Sequence, residues 1–168
     1  MKLKITFLFI FFILGFWSLD LVYANENKTE IIVGLDVNAP PMGFVDNKGS
    51  VVGFDIDLAN KVFGKMGKKV KFQPIDWDAK ELELASENID VIWNGLSKTE
   101  EREKSMLLTK PYMKNRQVVI VKSNSSIRNI SDLKNKNICV QKGSAGSDAI
   151  KKHDIYSQLK NVTELESM

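Results

Sequence analysis

In two places of this 168-residue chain, the end of an expected strand runs through glycine and hydroxyl residues into an expected helix. The first is Trp93-Asn94-Gly95-Leu96-Ser97-Lys98-Thr99-Glu100-Glu101-Arg102. Gly95 opens the backbone, and Ser97-Lys98-Thr99-Glu100 has the spacing of a capping box. The helix that follows presents N–H groups without partners, against which an anion sits well. Arg102 lies one to two turns into that helix, where its planar fork can grip a carboxylate through two bonds, and Ser97 offers a hydroxyl. The plainer alternative is a helix cap with a surface arginine paired to Glu101 or Glu103. The second stretch, Val140-Gln141-Lys142-Gly143-Ser144-Ala145, repeats the pattern. One such turn is ordinary between a strand and a helix; two in one chain suit a polar ligand that carries a carboxylate.

Two further residues stand at strand ends. Trp77, between Asp76 and Asp78, can cover the apolar part of a ligand or attract an ammonium to its ring face; core packing explains it equally well. Asp36 can pair with a cationic or amide group, or simply cap a loop. Sets for bond-making chemistry are scarce. The only histidine, His153, falls in a lysine-rich stretch expected at the surface, and the only cysteine, Cys139, falls in Asn137-Ile138-Cys139-Val140, expected as a buried strand. One His and one Cys exclude most zinc patterns. No phosphate-binding or dinucleotide fingerprint is present. The expectation is therefore no catalytic residue, no metal and no cofactor.

The elements that must position these residues follow from periodicity. Ile31–Leu35 is a continuous apolar run suited to a buried strand. Asn38-Ala39-Pro40-Pro41-Met42 reads as a loop, and Asp46-Asn47-Lys48-Gly49 as a turn. From Asp55 the period changes to that of a helix, with Ile56, Ala59, Val62, Phe63 and Met66 on one face and Gly64 or Gly67 at its end. Val70–Ile75 is a strand, Leu82, Leu84 and Ala85 mark a helix, and Asn88–Trp93 returns to a strand. Val118–Val121 reads as another buried strand. A helical turn at Ser131–Leu133, a strand at Ile138–Gln141 and a helix near Asp148–Lys152 follow. Alternating strands and helices predict an α/β fold with a mostly parallel sheet. Ligands of such sheets sit beyond the carboxyl ends of the strands. That singles out the loops after Leu35, Ile75, Trp93 and Val140.

Composition is that of an ordinary globular protein, 43% hydrophobic and 27% charged, and the formal net charge of +3 comes without a basic block, so nucleic acid is not expected as a partner. The N-terminus differs. Met1-Lys2-Leu3-Lys4 is basic, Ile5–Leu19 is almost purely apolar, and Val22-Tyr23-Ala24 suits a signal peptidase. The apolar run is shorter than the ~20 residues a membrane-spanning helix needs, so residues 1–24 are expected to be a cleaved signal peptide rather than an anchor. No cysteine near the cleavage site offers a lipid acceptor, which points to the periplasm.

The run Gly53-Phe54-Asp55-Ile56-Asp57-Leu58-Ala59 resembles the signature of the extracellular solute-binding proteins, family 3, which bind polar amino acids for ABC transporters. The likeness continues in order through Pro74-Ile75-Asp76-Trp77, Ile89–Gly95, Thr99–Arg102, Lys110-Pro111-Tyr112-Met113, Asp132-Leu133 and Val140–Ser144. It implies a periplasmic-binding-protein-like two-lobed fold of type II, with the ligand clamped between α/β lobes. Arg102 then matches the residue that holds the ligand's α-carboxylate. Asn94, Gly95 and Ser97 match the ligand-facing loop, where a carbonyl and a hydroxyl meet the ligand. Trp77 matches the aromatic wall, and Asp36 a position that in some members touches the ligand side chain. Ser144 and Ala145 match the second lobe's helix start. Ala39 stands where many relatives carry an aromatic.

The same resemblance implies residues 25–113 as a nearly complete lobe 1 and 114–168 as a crossover and partial lobe 2. The chain is then truncated at its C-terminus and lacks the second-lobe aspartate that pairs with the ligand's ammonium. The implied protein is a monomer that delivers a small amino acid to a membrane permease. A ligand-binding sensor domain, an exported dehydratase-like enzyme and a non-functional fragment of a binding protein are the alternatives.

Overall fold

The apolar run Glu30–Leu35 forms the central strand, β1, of a three-stranded parallel sheet in a computed structural model that describes residues 28–167. The expected signal peptide therefore lies outside the described residues. β1 is flanked on one side by Lys69–Pro74 and on the other by Val91–Ile92, with Val33 opposite both Phe72 and Val91. Both faces of its C-terminal half are covered: Val33 and Leu35 are fully buried on one, and Gly34 packs against Ile75 and Ile89 on the other.

Between β1 and the next sheet strand lie three short antiparallel strands, β2 (Asn38–Ala39), β3 (Gly43–Val45) and β4 (Val51–Val52). The expected loop at Asn38-Ala39 is thus corrected: both residues pair with β3. Pro40 and Pro41 keep to the turn, where neither needs an N–H to donate.

Helix α1 spans Phe54–Lys65 and buries Asp55, Ile56 and Ala59. Its C-terminal turn is closed by Gly67, whose φ is +70°. Val62 and Met66, expected on the packed face, are exposed, at 38% and 61%. The sheet strands Lys69–Pro74 and Val91–Ile92 are β5 and β6, joined through α2 (Lys80–Ala85). The short helix α3 spans Glu100–Ser105.

A second unit follows. Strands β7 (Asn137–Gln141) and β8 (Asn161–Leu165) run parallel and are joined through α4 (Ala145–Lys152) and a 3-10 turn at Asp154–Gln158. Leu133, Ile150 and Ile155 form its core, with Ile138 packed against them. β8 carries no periodic signal: its Asn161-Val162-Thr163-Glu164-Leu165 is mostly polar.

Two strand expectations are corrected here. Val118–Val121 is neither a strand nor buried, and Ile120 is 88% exposed. A β-branched run becomes a strand only when a neighbour supplies the other half of the ladder, and among the described residues none does. Cys139 is in a strand but exposed, because Ile138 faces the helical side of the two-stranded sheet and the next residue faces away.

Candidate functional site

The four singled-out loops meet. The ends of β1, β5, β6 and β7 deliver Asp36, Trp77, Asn94, Gly95, Ser97, Arg102, Ser144 and Ala145 to the wall of one cavity of about 150 Å³. Ala39, Asn115, Gln117 and Gln141 complete the lining.

Arg102 is 4% exposed. The helix start that places it differs from expectation: the cap is Thr99, whose Oγ1 accepts from the Arg102 N–H at 3.3 Å, so Arg102 sits in the first turn. Thr99 takes the role because the chain is already extended there, and this releases Ser97. The guanidinium donates to the Ser97 carbonyl at 2.8 Å and to the Gly143 carbonyl at 3.1 Å. It makes no ion pair among the described residues, which corrects the alternative of a surface arginine paired to Glu101 or Glu103: Glu101 pairs with Lys152 and Glu103 with Lys98. Burial holds the guanidinium below its usual pKa, with Asp148, Glu81 and Glu101 pulling the other way. Two of its five N–H donors are occupied by carbonyls, so donors remain for an anion.

Ser97 Oγ accepts from Asn115 Nδ2 at 2.7 Å and Gln117 Nε2 at 3.4 Å, which leaves its own O–H to donate. Ser144 caps α4, its Oγ accepting from the Ser147 N–H at 3.1 Å. The Ser144 N–H already donates to the Gln141 carbonyl at 3.3 Å, whereas the first-turn N–H of Ala145 has no acceptor within its helix.

Gly95 stands at φ +61°, a conformation other residues adopt only with strain. Its N–H donates to Asp55 Oδ2 at 2.6 Å, and the other oxygen of Asp55 accepts from the Tyr112 hydroxyl at 2.7 Å. Asp55 is fully buried, so these two bonds carry its charge. Burial, and then Asp55, push the Tyr112 hydroxyl's pKa well above its usual value. The buried side chain of Asn94, with its amide turned to suit its neighbours, donates to the Asp36 carbonyl at 3.2 Å and accepts from the Gly43 N–H at 3.3 Å. Its side chain therefore holds the loop walls together.

Asp36 is 7% exposed; Oδ1 accepts from the Asn38 N–H at 2.8 Å and Oδ2 from Gln141 Nε2 at 2.6 Å. It is the one carboxylate and Arg102 the one cation on the wall. Trp77 is buried, and Lys80 Nζ lies 5.3 Å from its ring centroid. Among the described residues no three His, Cys, Asp or Glu side chains group as metal ligands, and no helix is long and apolar enough to cross a membrane.

Four contributors escaped the reading of the residues. Asn115 and Gln117 lie in a segment expected only as a crossover, and Gln141 in the polar end of a strand. Asp55 carried a signal, its place in the Gly53–Ala59 run, but that run said nothing of its partners.

The sequence profile of the bacterial extracellular solute-binding proteins, family 3, matches residues 31–163. The chain belongs to this family. A Chlamydia trachomatis relative, ArtJ, named as a probable arginine-binding protein of an ABC transporter, is 41% identical over 88 residues, 52% of this chain and 34% of its own length. A Haemophilus influenzae amino-acid ABC transporter-binding protein is 36% identical over 110 residues, 65% of this chain and 43% of its own. The chain thus spans less than half the length of these curated relatives. Among solved structures of the family's type, a Streptococcus pneumoniae substrate-binding protein with bound histidine superimposes at TM-score 0.76 with 39% identity, over 83% of this chain and 58% of that one. An ancestral arginine-binding protein bound to arginine gives 0.77 and 38%, over 83% and 62%. The two-lobed, type II fold is therefore shared.

Proposed function

We propose that this chain binds a small polar amino acid between its two lobes by hinge-bending closure, as part of delivery to the membrane permease of an ABC transporter, and that it makes and breaks no bond. One observation carries the reading. An arginine that is buried, and that has no ion-pair partner among the described residues, faces a cavity on which four strand-end loops converge. An α-carboxylate is the ligand group that such a guanidinium, the Ser97 hydroxyl and the α4 N-terminus suit together. Asp36, on the same wall, suits a positive or amide group at the ligand's other end, in keeping with the arginine, histidine and cystine that relatives are named for. The family is one of solute-binding proteins, which supports a non-enzymatic role.

The accompanying proposals are those of the sequence. Residues 1–24 direct export and are cleaved, the protein acts in the periplasm as a monomer, residues 25–113 form lobe 1, and 114–168 form the crossover with part of lobe 2. The test is an amide NMR spectrum of the chain with and without L-arginine, L-histidine and L-cystine. Binding is expected to move Gly95, Ser97, Arg102, Ser144 and Ala145 together. A dispersed spectrum that none of the three alters sinks the proposal.

A further inference from the structure

Beside Arg102, outside the wall of the cavity, α2 contributes a lysine that the family reading leaves without a role. Lys80 is 3% exposed and pairs with no carboxylate among the described residues. Its ammonium donates to the Trp77 carbonyl at 3.1 Å and to the Gly143 carbonyl at 2.9 Å. The second bond joins residues 63 apart, from the first α/β unit to the loop that opens α4. The Gly143 carbonyl accepts from Arg102 as well, so two cations share one oxygen.

We propose that Lys80 is a positioning residue for ligand capture: it holds the Gly143 loop against the first lobe, so that Arg102 and the α4 N-terminus face the same carboxylate. This rests on the function proposed above. Three features support it. Contact at Gly143 is tight: its φ is +64°, and a Cβ there would lie 2.8 Å from Asp78 Oδ1 and 3.0 Å from the Asp78 Cα. The surroundings are built for an inter-lobe contact, since Lys142 pairs with Asp78 at 2.8 Å and Lys152 with Glu101 across the same seam. Finally, Lys80 lines a second cavity of about 410 Å³ behind Arg102 and is absent from the wall of the first, so it acts through Gly143 and not on the ligand. Burial, and then the Arg102 charge, hold its ammonium below the usual pKa, with Glu81, Asp78 and Asp148 pulling the other way.

The experiment uses the full chain, with C139S and spin labels placed at K61C and A149C, both exposed and one in each unit. Inter-lobe distances are read by double electron–electron resonance and affinity for L-arginine by calorimetry, while the amide spectrum monitors the fold. Lys80→Met is expected to broaden and lengthen the distance distribution and to weaken L-arginine binding by roughly tenfold or more, the scale of one charged hydrogen bond. Lys80→Arg, which keeps a donor and a charge, is expected to restore both in part; a merely structural lysine would not give that pattern in a variant whose fold is intact. Unchanged distances in folded Lys80→Met overturn the inference whether or not L-arginine binds, whereas failure of the parent chain to bind any amino acid overturns only the proposed function. Should Lys80→Met not fold, Gly143→Ala attacks the same contact from the other side, and unchanged distances there are equally fatal.

Discussion

Arg102→Met is the sharpest perturbation of the site, because methionine keeps much of the stem's packing and removes only the fork. Two consequences separate. For folding, the Ser97 carbonyl loses the donor it has at 2.8 Å, while the Gly143 carbonyl keeps Lys80. A buried acceptor left without a partner costs about 1–3 kcal/mol, and the Ser97 carbonyl is only part-buried, so the loss lies at or below the lower end and the variant should melt lower but still fold. For binding, a charge-assisted bond to a carboxylate is worth roughly 1.5–3 kcal/mol, or about 10- to 100-fold in Kd, with a two-bond grip at the upper end. Calorimetric titration with L-arginine measures the loss. Agmatine, which is arginine without its carboxylate, supplies the control. It should bind the parent chain more weakly by a similar factor, and Arg102→Met should add little further loss for it, the coupling expected when two partners of one contact are removed in turn. Equal losses for L-arginine and agmatine, or no loss for either in a folded variant, would refute the carboxylate assignment.

Asp36→Asn should separate ligands by charge: binding of L-arginine is expected to fall by roughly tenfold and that of L-glutamine by much less, as competition titrations would read out, since the amide can still meet Gln141. The pH dependence of stability has a defined contributor in Asp90. Its burial raises the carboxyl's pKa, but the Ile32 N–H at 2.7 Å and Lys28 at 2.6 Å outweigh it, and the pKa lies below the usual 3.8. A depressed carboxylate contributes stability above the unfolded value and loses it as pH falls through the folded one. Asp90→Asn should therefore lower the melting temperature near neutrality, and the gap from the parent chain should close below about pH 3.8; a gap that persists at lower pH refutes the assignment.

What the sequence made legible was the path of the chain through the first α/β unit and the convergence of four loops. Both depend on periodicity and on the rule that ligands gather at the carboxyl ends of parallel strands. Ile56 and Ala59 recur at helical spacing and are buried, and Val33 and Leu35 share a buried face of β1. The failures share one cause, that a partner is invisible in a local pattern. Val118–Val121 has the composition of a strand but no ladder beside it. Cys139 is apolar in type, yet lies on the uncovered face of a two-stranded sheet. Thr99 took the cap from Ser97 because the two are equally good acceptors and only backbone direction decides between them. Lys80 reads as one more solvated lysine of a helix, and only the fold shows that its ammonium points at a carbonyl 63 residues away.

Asp55 holds Gly95 with one oxygen and Tyr112 with the other. The cavity wall at Gly95 and the segment that leads on from Tyr112 to Asn115 and Gln117 are thereby tied to the same carboxylate. In the closure proposed above, a chain held at Tyr112 would begin its swing at Met113 or beyond, and Gly95, tied to the same carboxylate, would keep its place. Asp36 and Ala39 lie on the wall outside this pair of bonds, so a change at either would reshape the cavity and leave the pair intact. A change at Asp55 would disturb both bonds at once.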